Sequence, residues 1–380
     1  MEILQEIFQH EIDLKQLVQI LEDIDENHLN NGNKSLMQIG FEHDTLTLDV
    51  LKILEGKINF ESTDFLDRNF LHLYLKYSKN AKKEMIEYLI EKGVHVEGLD
   101  SSKKTMMHYL YMREKGEEVL ELNDYLLEKS NNILSQDESG KTALHCLAES
   151  NTIKCKIEVM NKIENLDEIL LIKDNNGFMI IHFVVLNPST TIEEIDFLAS
   201  KNEMYKSTFL ADKKNILQLY CKCENPKIEF IKYFIEQNID PLYLDENQSN
   251  LVHYICQNKT ADIEILKFLM GNYEIDFNSK ESHTDCAPIH LACLNEKVDF
   301  VEYFLLNNVD PNVVGPFSKT PLVIACDRNV STRIIDLLLK YKVDQLDFAL
   351  QVSCSREPPN IEAIKVKNFN TFFFFFFILF

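Results

Sequence analysis

Six histidines fall on one lattice. His72, His108, His145, His182, His253 and His290 are separated by 36, 37, 37, 71 and 37 residues. The step of 71 is two periods, and Gln218 stands at the intervening place. A histidine series could ligate metal or move protons. Three residues further on, Cys221, Cys256, Cys293 and Cys326 share the register, and thiolates are both ligands and nucleophiles. The spacing argues against that chemistry. Equivalent positions on stacked helices lie about 8–10 Å apart, whereas each ligand of a zinc ion stands about 2 Å from it. Neighbouring cysteines would also exceed the reach of a disulfide. Cys221-Lys-Cys223 lacks the second pair a zinc site needs, and Cys146, Cys155, Cys286 and Cys354 form no pattern. There is no glycine-rich phosphate loop, G-x-S-x-G, H-E-x-x-H or EF-hand sequence. The chain therefore reads as neither an enzyme nor a holder of metal or cofactor.

The lattice has to be explained by the elements that carry it. Extending it puts Met37 in front and Val323 behind, a mean step of about 36 residues. At five of the lattice positions an aspartate stands eight residues before, Asp64, Asp100, Asp137, Asp174 and Asp245; at three a glycine stands five before, Gly32, Gly140 and Gly177. The residue just before is aliphatic or Met throughout. Many periods also hold a second apolar segment with helical spacing, such as 228–235, 263–269 and 298–305. Gly93, Asn238 and Asn308 close three of these segments, and Gly and Asn tolerate the left-handed conformation that ends a helix. Each period thus predicts a short helix, a turn, a longer helix and a polar loop.

These residues resemble the ankyrin repeat. That family's Gly-x-Thr-Pro-Leu-His signature is echoed in Gly140-Lys-Thr-Ala-Leu-His145, Thr105-Met-Met-His108, Ala287-Pro-Ile-His-Leu-Ala-Cys293 and Thr320-Pro-Leu-Val-Ile-Ala-Cys326. Its Gly-Ala-Asp-Pro ending is echoed in Asn308-Val-Asp-Pro311 and Asn238-Ile-Asp-Pro241. The resemblance covers residues 30–345 and implies an all-α fold, an α-solenoid of about nine stacked helix-turn-helix units with no conventional boundary inside it. The second helix near 154–172 is out of step. By the same resemblance Thr caps the first helix, and His bonds within the tetrapeptide and to neighbouring backbone.

Such arrays bind proteins, so the resemblance implies a scaffold or adaptor. The alternatives are a regulatory or inhibitory array, and the cytoplasmic part of a membrane-associated protein. In the family pattern the contacts come from the loop before the tetrapeptide and from four or five residues after the His. On this chain the loop positions are Ser101, Ser102, Lys104, Glu138, Ser139, Lys141, Asn175, Asn176, Phe178, Glu246, Asn247 and Ser249. The positions after the His are Met112, Arg113, Glu149, Gln257 and Asn258, with Ser150, Leu294 and Asn295 beside them.

Composition narrows the partners. The 380 residues carry 39 basic and 61 acidic side chains, a net charge of −22. Nucleic-acid binding wants the opposite sign. Residues 1–29 hold eight acids against one lysine between Glu2 and Glu26, with apolar residues at helical spacing. They predict an acidic helical cap on the first repeat, or an acidic docking helix. This start lacks the basic, then apolar, plan of a secretory signal, so a cytoplasmic place is expected, with the nucleus as the other compartment. Residues 346–380 lose the register and end in a phenylalanine run, Phe372–Phe377. That run is a membrane contact, the start of a span, or an artefact of T-rich sequence read as codons. The expected partner is a protein, the chain itself being a monomer, with a membrane involved only if the run is genuine.

Overall fold

The computed structural model describes residues 36–355, apart from 43–45, 54, 57, 114–117, 131, 155, 207–209, 211, 329 and 342. The expected N-terminal cap over 1–29 and the phenylalanine run lie outside them. No strand occurs among the described residues. The fold is all-α, as the periodicity predicts.

Where the register predicts one array, the packing falls into two compact units, residues 1–202 and 203–380. The division falls shortly before Leu210, which takes the place held by aspartate in most other arms. Gln218 takes the histidine place in that same repeat.

In the first unit, short helices α1 (Leu36–Glu42), α3 (Phe70–Tyr77), α5 (Met106–Tyr111), α7 (Ala143–Glu149) and α10 (Ile180–Leu186) stack in sequence. Behind them α2 (Leu48–Ile53), α4 (Lys83–Glu91), α6 (Val119–Lys129), α8 (Lys156–Asn161) and α11 (Ile192–Lys201) form the second layer. A further turn of helix, α9 (Leu166–Ile169), follows the short α8 within a repeat of ordinary length. It buries Leu166 and Ile169, and explains why the apolar pattern near 154–172 is out of step. In the second unit the first layer is α12 (Ile216–Tyr220), α14 (Leu251–Gln257), α16 (Pro288–Leu294), α18 (Pro321–Arg328) and α20 (Leu346–Ser355). The second layer is α13 (Ile228–Glu236), α15 (Ile263–Asn272), α17 (Val298–Leu306) and α19 (Thr332–Leu339). The tail expected from 346 thus begins as a helix. α20 packs on α18 in the position of a further first helix.

The core is the seam between the layers. Leu71, Leu110, Leu144, Leu217, Val252, Ile289 and Leu322 are all fully buried on the first helices. Ile86, Leu126, Ile195, Ile231, Leu266 and Val301 meet them from the second. Burying a large aliphatic side chain contributes about 1.5–3 kcal/mol, and each repeat relies on its neighbours for that burial. Cys221, Cys256 and Cys293 are fully buried too, and they are free thiols. A small side chain there lets stacked helices approach.

Candidate partner-binding surface

The loops that join one repeat to the next form projecting arms, and five of these are built around an aspartate. Asp100 Oδ1 accepts from the amides of Ser102 and Lys104 at 2.9 and 2.7 Å. Asp137 does the same for Ser139 and Lys141, Asp174 for Asn176 and Phe178, and Asp245 for Asn247 and Ser249. Asp64 holds the amides of Leu66 and Arg68. The turn between needs positive φ. Gly140 supplies it with φ +78°, and Lys103 adopts φ +62°. At Gly140 a Cβ would stand 2.7 Å from the Asn175 amide nitrogen, so the neighbouring arm is as close as glycine permits.

Successive arms are joined at their tips by backbone bonds. Leu66 O accepts from Ser101 N, Ser102 O from Glu138 N and Ser139 O from Asn175 N, at 2.8–2.9 Å. In the second unit Asp212 O accepts from Glu246 N at 3.3 Å and Asn247 O from Ser282 N at 2.7 Å.

Each arm leads into a capped first helix. His72, His108, His145, His182, His253 and His290 accept through Nδ1 from the amide three residues earlier, at 2.8–3.2 Å. Gln218 makes the same bond with Oε1, accepting from Asn215 N at 3.1 Å. The Nδ1 of each histidine is therefore the unprotonated nitrogen and Nε2 carries the proton. His108 Nε2 donates to Lys141 O at 3.0 Å and His145 Nε2 to Phe178 O at 3.3 Å, both on the next arm. Gln218 Nε2 reaches Tyr243 O and Ser249 O likewise. Burial drives His72, His145, His182 and His290 down to about 4, so all four are neutral. His108, His145 and Gln218 thus tie their repeats to the next arm, the role the resemblance implies, whereas Nε2 of His72, His182, His253 and His290 is buried and finds no acceptor among the described residues. Among the described residues no three of His, Cys, Asp and Glu come together as a metal site.

The predicted contact residues divide into two sets. Ser101, Met112, Glu138, Ser139, Glu149, Asn175, Asn176, Glu246 and Gln257 are exposed. Ser102, Lys104, Lys141, Phe178, Asn247 and Asn258 are half-buried. Lys104 pairs with Asp137 at 3.2 Å, and Lys141 with Glu149 at 2.6 Å. Two assignments are corrected. Ser249 is buried, with its hydroxyl on Glu281. Arg113 is buried and turned inward, donating to Leu75 O at 2.5 Å and Ser78 O at 3.0 Å. Asn258 is similarly engaged, its Nδ2 on Cys221 O and Cys223 O at 2.8 Å each. The fifth residue after the histidine is thus a clamp on the preceding repeat. Asn187 and Asn295 serve as clamps too, on Ala148 O and Cys256 O. Asparagine recurring there was a readable signal.

What the pattern overlooked is apolar. Phe65, Leu99, Leu134, Leu171, Leu242, Leu244 and Val314 are exposed on the arms, and Phe317 is 89% exposed at a tip. Leu134, Leu171 and Leu242 share one register place, eleven residues before the lattice position, so the period could have found them.

Helix pairs in two stacked layers, aspartate-centred arms and a histidine-bonded cap are features of the ankyrin repeat. A family model described as ankyrin repeats (3 copies) matches residues 289–371. Over those residues, about a fifth of the chain, the sequence carries ankyrin repeats. It is also similar to an ankyrin repeat protein of fowlpox virus (strain NVSL), with 25% identity over 117 residues. That match covers 31% of this chain and 34% of the viral protein, so the aligned part is about a third of the relative.

Proposed function

We propose that this protein is a scaffold or adaptor that binds a partner protein through the exposed arm tips and the adjoining first-helix edges. Ankyrin repeats generally mediate protein–protein interaction and are typically non-enzymatic. The observation that carries the reading is the tip ladder. Backbone bonds hold Ser101, Glu138 and Asn175 on adjacent arms; the side chains of Ser101 and Glu138 are left to solvent, and Asn175 Nδ2 donates to Glu138 O at 2.8 Å. Side chains so ordered lose little further entropy on binding, which favours recognition. No helix among the described residues is long and apolar enough to cross a membrane. The reading places the protein in the cytoplasm or nucleus.

The test is charge reversal of three exposed acids, Glu138→Lys, Glu149→Lys and Glu246→Lys, followed by affinity capture from lysate with quantitative mass spectrometry. Partners retained by the unaltered chain should be lost from the variant. An unchanged set of partners would remove the tips from the binding surface.

A further inference from the structure

The first two described arms enclose a cleft of about 290 Å³, lined among others by Phe60, Glu61, Asp67, Glu97, Gly98 and Leu99. Its composition is one-sided. Phe60 and Leu99 give an apolar wall, with Leu99 still 48% exposed. Glu61, Asp67 and Glu97 add three exposed carboxylates. His95 apart, no basic residue lines it. Arg68 pairs with Asp64 at 2.5 Å, Lys104 with Asp137, and Lys92 with Glu55. The frame around the cleft is fixed, since Asn69 Nδ2 bonds His95 O at 2.8 Å and Leu66 O bonds Ser101 N. Gly98 is required in that frame, because a Cβ there would stand 2.8 Å from Asn69 Nδ2.

We propose that this cleft takes one arginine or lysine side chain from an extended, basic and apolar segment of a partner protein. The side chain's methylenes lie on Phe60 and Leu99, and its charged head reaches Glu61, Asp67 and Glu97. Long cationic side chains are suited to such a wall, because they bury an aliphatic stem while the head stays solvated. The volume lies at the small end for ligand pockets, about 300 Å³, and fits one side chain rather than a cofactor. Apolar residues of the segment meet Phe65 and Leu66 at the tip of the first arm, which are 60% and 37% exposed. The proposal rests on the protein-binding reading and narrows it to one subsite and one ligand chemistry.

The test uses the full chain and three fluorescein-labelled twelve-residue peptides, alternating Leu with Arg, Ser with Arg, and Leu with Glu. Binding is read by fluorescence anisotropy at physiological salt. The Leu/Arg peptide should bind most tightly, and the triple variant Glu61→Gln, Asp67→Asn, Glu97→Gln should weaken it about tenfold. Leu99→Asn should weaken both arginine peptides, whereas Phe65→Asn should weaken the Leu/Arg peptide and leave the Ser/Arg peptide unchanged. Removing three exposed acids of the second unit, Glu229→Gln, Glu236→Gln and Glu274→Gln, should change affinity far less. Equal loss in the two triple variants, or equal binding of Leu/Arg and Ser/Arg, would reduce the effect to net charge and overturn the proposal. If that happens while the tip reversals still abolish partner capture, the cleft assignment falls and the wider reading stands. If the tip reversals are also silent, the wider reading falls as well.

Discussion

The Thr320 amide donates to Oε1 of Gln345 across 3.2 Å, an acceptor 25 residues downstream. At seven other first helices the corresponding acceptor is the third residue of the same helix, a histidine or Gln218. Here that place is Val323, which has no acceptor to offer. Gln345 fills the gap from outside the helix and also donates to Ser318 O at 2.9 Å.

Removing that stand-in should be felt. Gln345→Ala is expected to destabilise the second unit by about 1–2 kcal/mol, the cost of leaving an amide unpaired near the core. Urea denaturation of the variant measures it. A midpoint unmoved from the unaltered chain would mean that water replaces the side chain.

Acid should weaken the fold through the histidines. His72, His145, His182 and His290 have values near 4 in the folded chain, against 6.5 for an ordinary histidine. The unfolded chain therefore binds more protons between those values. The stabilisation is complete above pH 6.5 and is lost as pH falls toward 4. His145→Gln should flatten this slope, because Gln218 makes the same bonds without titrating. Denaturation midpoints between pH 7 and 4.5 are the measurement. A slope unaltered in His145→Gln would clear that histidine of the effect.

Two glycines make a matched pair. Gly140→Ala and Gly177→Ala both impose positive φ on a residue with a Cβ, at +78° and +83°. The Gly177 Cβ would meet nothing within 4 Å, whereas that of Gly140 would meet the Asn175 backbone. Thermal melts should show a loss of about 1 kcal/mol for Gly177→Ala and about 3 kcal/mol for Gly140→Ala.

The thiol column should be inert. Burial pushes the thiols of Cys221, Cys256 and Cys293 upward, away from the reactive thiolate. Iodoacetamide followed by peptide mapping should leave these three unmodified in buffer and alkylate them in urea. Modification under native conditions would mean that the first layer opens locally.

Much of this was legible because the periodic residues do local work. An aspartate that bonds amides two and four residues ahead leaves its mark at a fixed spacing, and so does a histidine that bonds an amide three behind. The misreadings came where a side chain's partner lies in another repeat. Arg113 is polar and sits at a place assigned to contacts, yet its acceptors are Leu75 and Ser78, more than 30 residues away. Ser249 is hidden by Glu281 of the following arm. The division of this second helix into α8 and α9 blurred its apolar pattern without breaking the fold, because the two apolar residues of α9 found burial. The apolar arm residues were overlooked because exposure depends on what the neighbouring arm leaves uncovered.

The bonds from Ser102 O to Glu138 N and from Ser139 O to Asn175 N are made by backbone alone. They behave as the graduations of a ruler. The lettering at a mark such as Ser101 or Glu138 can be rewritten by mutation without moving the marks. A lineage of such chains could therefore exchange one partner for another by substitution at the tips, while the interval at which any partner is measured stays constant.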